Sequence, residues 1–381
     1  MSIATAADFR EVARRRLPHF LFEYFDGAAF DGRTARQNID DLASVELRQR
    51  VLRDVSRIDP GARLLGQDWT MPLALGPVGL AGMAARRGEV IAARAARAAG
   101  IGFALSSTSI CPLDEVSVEG PCWFQLYMVR DRRFVEDMIG RARMLGSPAL
   151  VLTVDLPVLG PRWRDARSGL YQPALAGQIR RLAQALLRPR WAMNVGLGGR
   201  PHSLGNVVRF LGPDAGMTDC MAWTQANMDA SVNWDALSWV RALWKGPLIV
   251  KGIMEADDAR RAVAHGADAL VVSNHGGRQL DGVASTARAL PAIAAALEDA
   301  VPLLVDGGIR TGLDIVRMIA LGASAVMVGR PWLYALAAAG EAGVRRMIAL
   351  MEAEMRIAMA LTGCNNIADI GPDIVNRRSA C

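Results

Sequence analysis

The stretch VPLLVDGGIRTGLDIVRMIALGASAVMVGRP (Val301–Pro331) decides the fold. A short apolar run, Pro302–Asp306, ends on an acid and two glycines. An amphipathic stretch, Gly312–Leu321, follows, with apolar positions three and four apart as on one face of a helix. The LGAS turn (Leu321–Ser324) then stops it, as a glycine past the last helical residue does. A second apolar run, Ala325–Gly329, begins at once. Neither run alternates with polar residues, so each reads as a strand buried on both faces. Strand, helix and strand in this order form a parallel unit.

The same unit recurs upstream. Apolar runs appear at Pro72–Gly76, Gly102–Ser106, Trp123–Tyr127, Ala149–Asp155, Pro247–Lys251 and Ala269–Ser273. Helical stretches appear at Gly88–Ala99, Arg132–Met144, Asp257–His265 and Ser285–Leu297. Eight such units with right-handed crossovers predict an α/β protein with a closed (β/α)8 TIM barrel. An open doubly wound sheet is the rival, but no G-x-G-x-x-G follows the first strand. The reading is one domain, 1–381, with a barrel core of about 70–345. A helical segment (about Ala6–Tyr24) precedes the barrel, and a helix (about Gly343–Leu361) packs outside it. One segment breaks the rhythm. The loop after strand four, about Leu156–Ser231, far exceeds the few residues usual between such elements. It holds Gly169–Gln172, a basic apolar stretch Leu175–Trp191, and the glycine-rich Val195–Asn206.

Composition narrows the class. With 381 residues, 51% hydrophobic and 22% charged, the chain can bury a large core and is not disordered. Cys111, Cys122, Cys220, Cys364 and Cys381 are scattered and form no C-x-x-C pair, which speaks against a disulfide framework or a zinc site. No metal is expected. Met1–Arg16 lacks an apolar block, so no secretory signal is expected, and no apolar run is long enough to span a bilayer. The net charge is +6, but no nucleic-acid motif accompanies it, and no nucleic-acid partner is expected. The positive charge is almost all arginine; only Lys245 and Lys251 are lysine.

In a barrel the reactive groups stand at the C-terminal ends of the strands. Here those ends carry Gly76-Pro77-Val78-Gly79, Ser106, Gln125 with Tyr127, Thr153 with Asp155, Lys251, Ser273 with His275 and Arg278, Asp306-Gly307-Gly308 with Arg310, and Gly329-Arg330. Glycine followed by arginine after the last two strands suits a phosphate, because backbone N–H groups can approach and guanidinium forks can clamp. A plain turn with a surface ion pair is the blander reading. His275 is the only histidine at a strand end, and Arg278 follows two glycines later. The pair suggests a general base beside an anion fork. Asp155 is placed to stabilise a protonated His275, or else caps a short helix. Arg162 is a second candidate anion clamp, with Arg164 and Arg167 as close competitors. Lys251 is either a Schiff-base lysine or a fixed cation beside a cofactor ring. His19, His202 and His265 lie away from the strand ends.

These residues carry a resemblance. SNHGGRQLDG (Ser273–Gly282), WFQLY (Trp123–Tyr127) and Val301–Pro331 resemble the FMN-dependent α-hydroxy acid dehydrogenases and oxidases, over about Asp8–Ile370. LPHFLFEYFDGAA, LALGPVGLAGMAARRGE, RDARSG and GRPHSLGN are most similar to the bacterial respiratory L-lactate dehydrogenases of that family. The resemblance implies FMN as cofactor and an (S)-2-hydroxy acid, L-lactate, as substrate. It implies a quinone-type acceptor and a homo-tetramer. An (S)-mandelate dehydrogenase or a peroxide-forming oxidase is the alternative. His275 is implied as the base for the α-hydroxyl proton, or in the rival scheme the α-carbon proton, with Asp155 stabilising it. Tyr24, Tyr127, Arg162 and Arg278 are implied as substrate binders. Pro77, Val78, Gly79, Ser106, Gln125, Thr153, Lys251, Ser273, Asp306, Gly307, Gly308, Arg310, Gly329 and Arg330 are implied around FMN. Among these, Gly79 is the small option that looks more like the dehydrogenases.

The stretch Leu175–Trp191 places Leu175, Ile179, Leu182 and Leu186 at helical spacing, crowded by arginines and closed by Trp191. Such a basic amphipathic helix reads as lying on an anionic bilayer. With the resemblance, it implies a peripheral protein on the cytoplasmic face of the inner membrane. A soluble protein whose helix packs on its own barrel or a sister subunit is the alternative.

Overall fold

The computed structural model describes residues 3–170 and 175–376. Among the described residues, eight parallel strands close a barrel. We number them β1 (Leu73–Leu75), β2 (Gly102–Ser106), β3 (Trp123–Tyr127), β4 (Leu150–Thr153), β5 (Leu248–Ile253), β6 (Ala269–Val272), β7 (Leu303–Val305) and β8 (Ala325–Val328). Each pairs with its sequence neighbours, and β8 closes on β1. This is the TIM barrel expected from the repeat.

Side chains alternate along each strand. Ala74, Ala104, Val151, Ile249, Val271, Leu304 and Met327 fill the barrel interior. Their neighbours Leu75, Leu105, Leu152, Val250, Val272, Val305 and Val328 pack outward against the helices. Both faces are thus apolar, which is why the runs show no polar alternation. The lower end of the barrel is plugged by a hairpin, Ala62–Leu64 and Gln67–Trp69, that the strand pattern does not announce. The Trp69 ring lies 5.3 Å from that of Trp123. Residue 102 is glycine of necessity, since a Cβ there would sit 2.5 Å from the Trp69 indole.

The barrel helices Gly88–Ala99, Arg132–Met144, Ala256–Ala264, Thr286–Leu297 and Gly312–Ala320 match the expected spans to within one residue. The last starts on a reciprocal cap. Thr311 accepts from the Asp314 N–H, and the Asp314 carboxylate accepts from the Thr311 N–H.

Elsewhere the expected bounds move. The N-terminal helix is two helices, α1 (Ala6–Arg16) and α2 (His19–Asp26), because Pro18 cannot continue the first. A third, α3 (Arg33–Ala43), was not foreseen. The C-terminal stretch Arg330–Thr362 is two helices broken by non-helical backbone at Ala339 and Gly340; the second holds the expected Gly343–Leu361, and the first was not expected. The stretch Leu175–Trp191 is not one helix. Its main helix ends at Leu186, and a short turn, Pro189–Trp191, restarts at the proline. Trp191, expected at a lipid interface, instead donates its Nε1–H to the Met83 carbonyl at 2.8 Å and meets the Phe20 ring edge-on. Of the Gly169–Gln172 segment, Tyr171 and Gln172 lie outside the described residues.

Candidate active site

The same alternation that fills the barrel sets the site. The next inward positions above Ala74, Ala104, Val151, Ile249, Val271, Leu304 and Met327 are Gly76, Ser106, Thr153, Lys251, Ser273, Asp306 and Gly329. On β3 the inward series is Trp123, Gln125, Tyr127. A polar ring therefore caps an apolar plug. Above it opens a cavity of about 730 Å³.

The ring is internally bonded. Ser106 Oγ donates to Gln125 Oε1 at 3.1 Å, and Gln125 Nε2 donates to Thr153 Oγ1 at 3.0 Å. Lys251 Nζ donates to Ser273 Oγ at 2.6 Å and pairs with Asp306 Oδ2 at 3.0 Å. Burial alone would lower the Lys251 pKa, but Asp306 and Asp155 outweigh it and hold the ammonium above its ordinary value. Thr153, Lys251 and Asp306 reach the cavity wall. Ser106, Gln125 and Ser273 are buried beside it.

On the β6 loop, His275 Nδ1 meets Asp155 Oδ1 at 2.9 Å. A carboxylate there holds the proton on Nδ1 and leaves Nε2 as the acceptor. His275 sits at φ 56°, in the left-handed region a branched or ring-bearing residue enters only when its surroundings impose it. The Ser273 hydroxyl takes the His275 N–H, which helps impose it. Burial raises Asp155, yet the neighbouring His275 and Lys251 outweigh this and leave its pKa below the ordinary value. Gly252 makes room for Asp155. It lies at a bulge in β5 with φ 114°, and a Cβ there would sit 2.6 Å from that of Asp155.

Two guanidinium groups flank Tyr24. Arg278 lies 5.2 Å and Arg162 6.0 Å from its ring centre. Arg278 donates to the carbonyls of Tyr24 and Gly27, at 2.7 and 2.9 Å. Burial, with Arg162 nearby, pushes its pKa down to about 10. Among the described residues the buried Arg162 Nε has no partner. Buried cations so arranged call for an anion. The competitors of Arg162 are otherwise engaged: Arg164 pairs with Glu23 and Asp26, and Arg167 lies over Trp163. Tyr127 is half-buried near both arginines, and desolvation raises its pKa.

A second anion seat adjoins the first, since Arg330 and Arg278 share the Gly27 carbonyl. Gly307 and Gly308 adopt φ 90° and 84°. Among the described residues the Arg310 side chain donates only to the adjacent Ile309 carbonyl, and burial, with Arg330 nearby, lowers its pKa. Arg330 donates to the Gly276 and Gly27 carbonyls, while its buried Nε has no partner among the described residues. Backbone N–H groups beside two unneutralised guanidiniums fit a phosphate group. Pro77, Val78, Gly79 and Gly329 complete that wall. The polar ring, the lysine and the phosphate seat together fit FMN: a flat polar-edged ring system on a phosphorylated chain.

The chain belongs to the FMN-dependent dehydrogenase family, whose pattern matches residues 13–377. It is an FMN-dependent dehydrogenase of 2-hydroxy acids. It is 55% identical over 380 residues to an L-lactate dehydrogenase of Caulobacter vibrioides, covering 99% of both chains. It is 54% identical over 379 residues to the L-lactate dehydrogenase of Alcaligenes faecalis, covering 99% of this chain and 100% of that protein. Among solved structures it is similar to a monotopic membrane protein, (S)-mandelate dehydrogenase. The TM-score is 0.93 at 37% identity, covering 99% of this chain and 100% of that one.

Several positioning residues escaped the sequence reading. Asn38 of α3 exchanges two hydrogen bonds with Asn274, each 2.8 Å, and both amides are buried. Asn38 also accepts the Thr286 N–H, while Thr286 Oγ1 donates to the Asp306 carbonyl at 2.6 Å. Asp281 caps α3 by accepting the Arg33 and Thr34 N–H groups. Gln279 ties the β6 loop to the Asp155 carbonyl at 3.0 Å. Asn274, Gln279 and Asp281 stand inside SNHGGRQLDG, which is their one sequence signal; Asn38 and Thr286 lie outside it and have none.

Proposed function

We propose that the enzyme oxidises L-lactate to pyruvate and passes the electrons to a quinone at a membrane surface. The His275–Asp155 contact, facing the two guanidiniums across one cavity, is the observation that carries the reading. Arg278 and Arg162 clamp the substrate carboxylate, and Tyr24 and Tyr127 orient it by hydrogen bonds. His275 Nε2 then takes the α-hydroxyl proton. Asp155 is the counter-charge for the imidazolium and holds its ring orientation. FMN, when bound, accepts the two electrons. Lys251, kept protonated by Asp306 and Asp155, supplies a fixed positive charge beside the cofactor ring. Gly307, Gly308, Arg310 and Arg330 hold the phosphate.

The relatives named L-lactate dehydrogenase support lactate, and the similarity to (S)-mandelate dehydrogenase keeps mandelate as the second reading. Anaerobic mixing with each acid separates them. L-lactate is expected to bleach the yellow flavin; bleaching by (S)-mandelate alone overturns lactate. Peroxide formed in air in proportion to substrate identifies an oxidase instead.

For the membrane, the support is an exposed apolar stripe. Leu175, Ile179, Leu182, Leu186 and Leu187 are each more than half exposed, at 71%, 58%, 61%, 66% and 73%. Met193 and Leu197 extend the patch. Burying each such side chain is worth about 1.5–3 kcal/mol, so the stripe favours a cover. No helix among the described residues is long and apolar enough to cross a bilayer, which leaves lying on it. Combining Ile179→Glu, Leu182→Glu and Leu186→Glu is expected to abolish co-sedimentation with anionic phospholipid vesicles. Undiminished co-sedimentation overturns the membrane reading. Dissociation of the expected homo-tetramer by the same changes assigns the stripe to a sister subunit.

A further inference from the structure

The cavity above the barrel has two chemically different parts. The inner part carries every charged side chain on its walls: Arg162, Lys251, His275, Arg278 and the Asp306–Arg330 group. The outer part runs on without a break beyond Tyr127, and it carries none. Val129, Phe134, Leu204, Val207, Met221 and Met228 line it. The helix Met217–Ala226 forms its outer wall. Trp223 and Thr224 border the cavity, and so do Thr218, Met221, Ala222 and Gln225, three and four residues apart along that helix. All four are solvent-exposed, so the outer part is open at this helix. Behind it the wall is aromatic: Phe134, Phe210 and Trp223 meet edge-on or tilted, with ring centres 4.9–5.8 Å apart.

The carboxylate of a hydroxy acid gains nothing from an uncharged chamber, since its partners are the inner arginines, and the single methyl of lactate does not fill one. An uncharged, mainly apolar chamber edged by hydroxyl and amide groups suits a neutral ring with carbonyl oxygens. The two methionines are adaptable walls for such a ring. The chamber is built partly by the same excursion, Leu156–Ser231, that carries the exposed leucine stripe.

We infer that this outer chamber is the seat of the electron acceptor, a neutral quinone, separate from the hydroxy-acid seat but within the same cavity. This rests on the proposed quinone acceptor and names where it binds. The stoichiometry closes without another reagent. The hydroxy acid loses two electrons and two protons to become the keto acid, and the quinone gains two electrons and two protons to become the quinol.

Decylubiquinone is the probe, with the FMN-loaded full-length enzyme. Ala222→Trp fills the chamber, and Met221→Glu puts a charge in it. Both sit on an exposed helix face and keep the barrel contacts. Each is expected to raise the KM for decylubiquinone at least tenfold, with hydroxy-acid KM and anaerobic bleaching rate within twofold of the parent. A raised hydroxy-acid KM or slowed bleaching with unchanged quinone KM overturns the inference and gives the chamber to the substrate side chain. An unchanged quinone KM in both FMN-loaded variants also overturns it. A parent enzyme that bleaches but never reduces decylubiquinone fails the acceptor reading itself, and the chamber assignment with it.

Discussion

The barrel rim and the excursion between β4 and β5 solve opposite problems. At the rim, each polar side chain is one inward step above an apolar residue on its strand, so its direction is set by the sheet. Charges there are buried and opposed: Lys251 between Ser273 and Asp306, His275 against Asp155. The excursion is built from short helices, one of them π-helical at Ala192–Leu197, and it exposes leucines. The rim holds groups still while protons and electrons move. The excursion, on the proposed function, presents surface to the membrane and the acceptor. A rigid scaffold with a variable, partly apolar loop is how one barrel separates chemistry from encounter.

If the rim alone does the chemistry, His275→Gln is the change with the largest effect. It is expected to keep FMN yet slow anaerobic bleaching by about 10²–10⁴-fold, the range of a lost general base. Bleaching at the parent rate would break the comparison at its centre. Next comes the carboxylate clamp. Arg278→Lys keeps a charge but loses the fork, and Arg278 also spans the Tyr24 and Gly27 carbonyls. Charged hydrogen bonds worth about 1.5–3 kcal/mol put the loss in kcat/KM at about 10–150-fold. Steady-state kinetics with 2-hydroxy acids of different side chain would show a similar loss for each, since the carboxylate is common to them.

The rim was readable in the sequence because strand ends are local. A run such as Leu303–Val305 followed by Asp306-Gly-Gly announces both its direction and its chemistry. What brackets the rim was not readable, because it comes from far along the chain. Asn38 and Asn274 are 236 residues apart, and no periodicity links them. The Trp69 plug depends on Gly102 only through packing. The bulge at Gly252 interrupts a run that reads as plain strand. In the excursion, spacing alone gave Ile179, Leu182 and Leu186 correctly as one face. Spacing could not tell that Trp191 turns inward, since that needs Met83 and Phe20 beside it.

Asn38 sharpens the rim's side of the contrast. Its helix, α3, backs both the base loop and the phosphate loop, and a Cβ on Gly308 would sit 2.0 Å from the Asn38 carbonyl oxygen. Asn38→Ala leaves the buried Asn274 amide short of a partner, at a cost of about 1–3 kcal/mol in unfolding free energy. Because Asn274 adjoins His275, the bleaching rate is expected to fall severalfold while the KM for the hydroxy acid holds. A loss of stability with no change in rate would make α3 mere support.

The smallest expected effect tests the joint between the two regions. Trp191 closes the exposed leucine helix onto the barrel through one hydrogen bond to the Met83 carbonyl and one edge contact with Phe20. Arg188 and Gln184 add bonds to the Leu17 carbonyl and the Phe20 N–H. Trp191→Phe removes the donor but keeps a ring, so about 0.5–1.5 kcal/mol of unfolding free energy is expected to go. Vesicle binding is expected to hold, because the stripe leucines, not the indole, face outward. A large drop in vesicle binding with unchanged stability would put the indole in the lipid after all and move the boundary between the two regions to Met83.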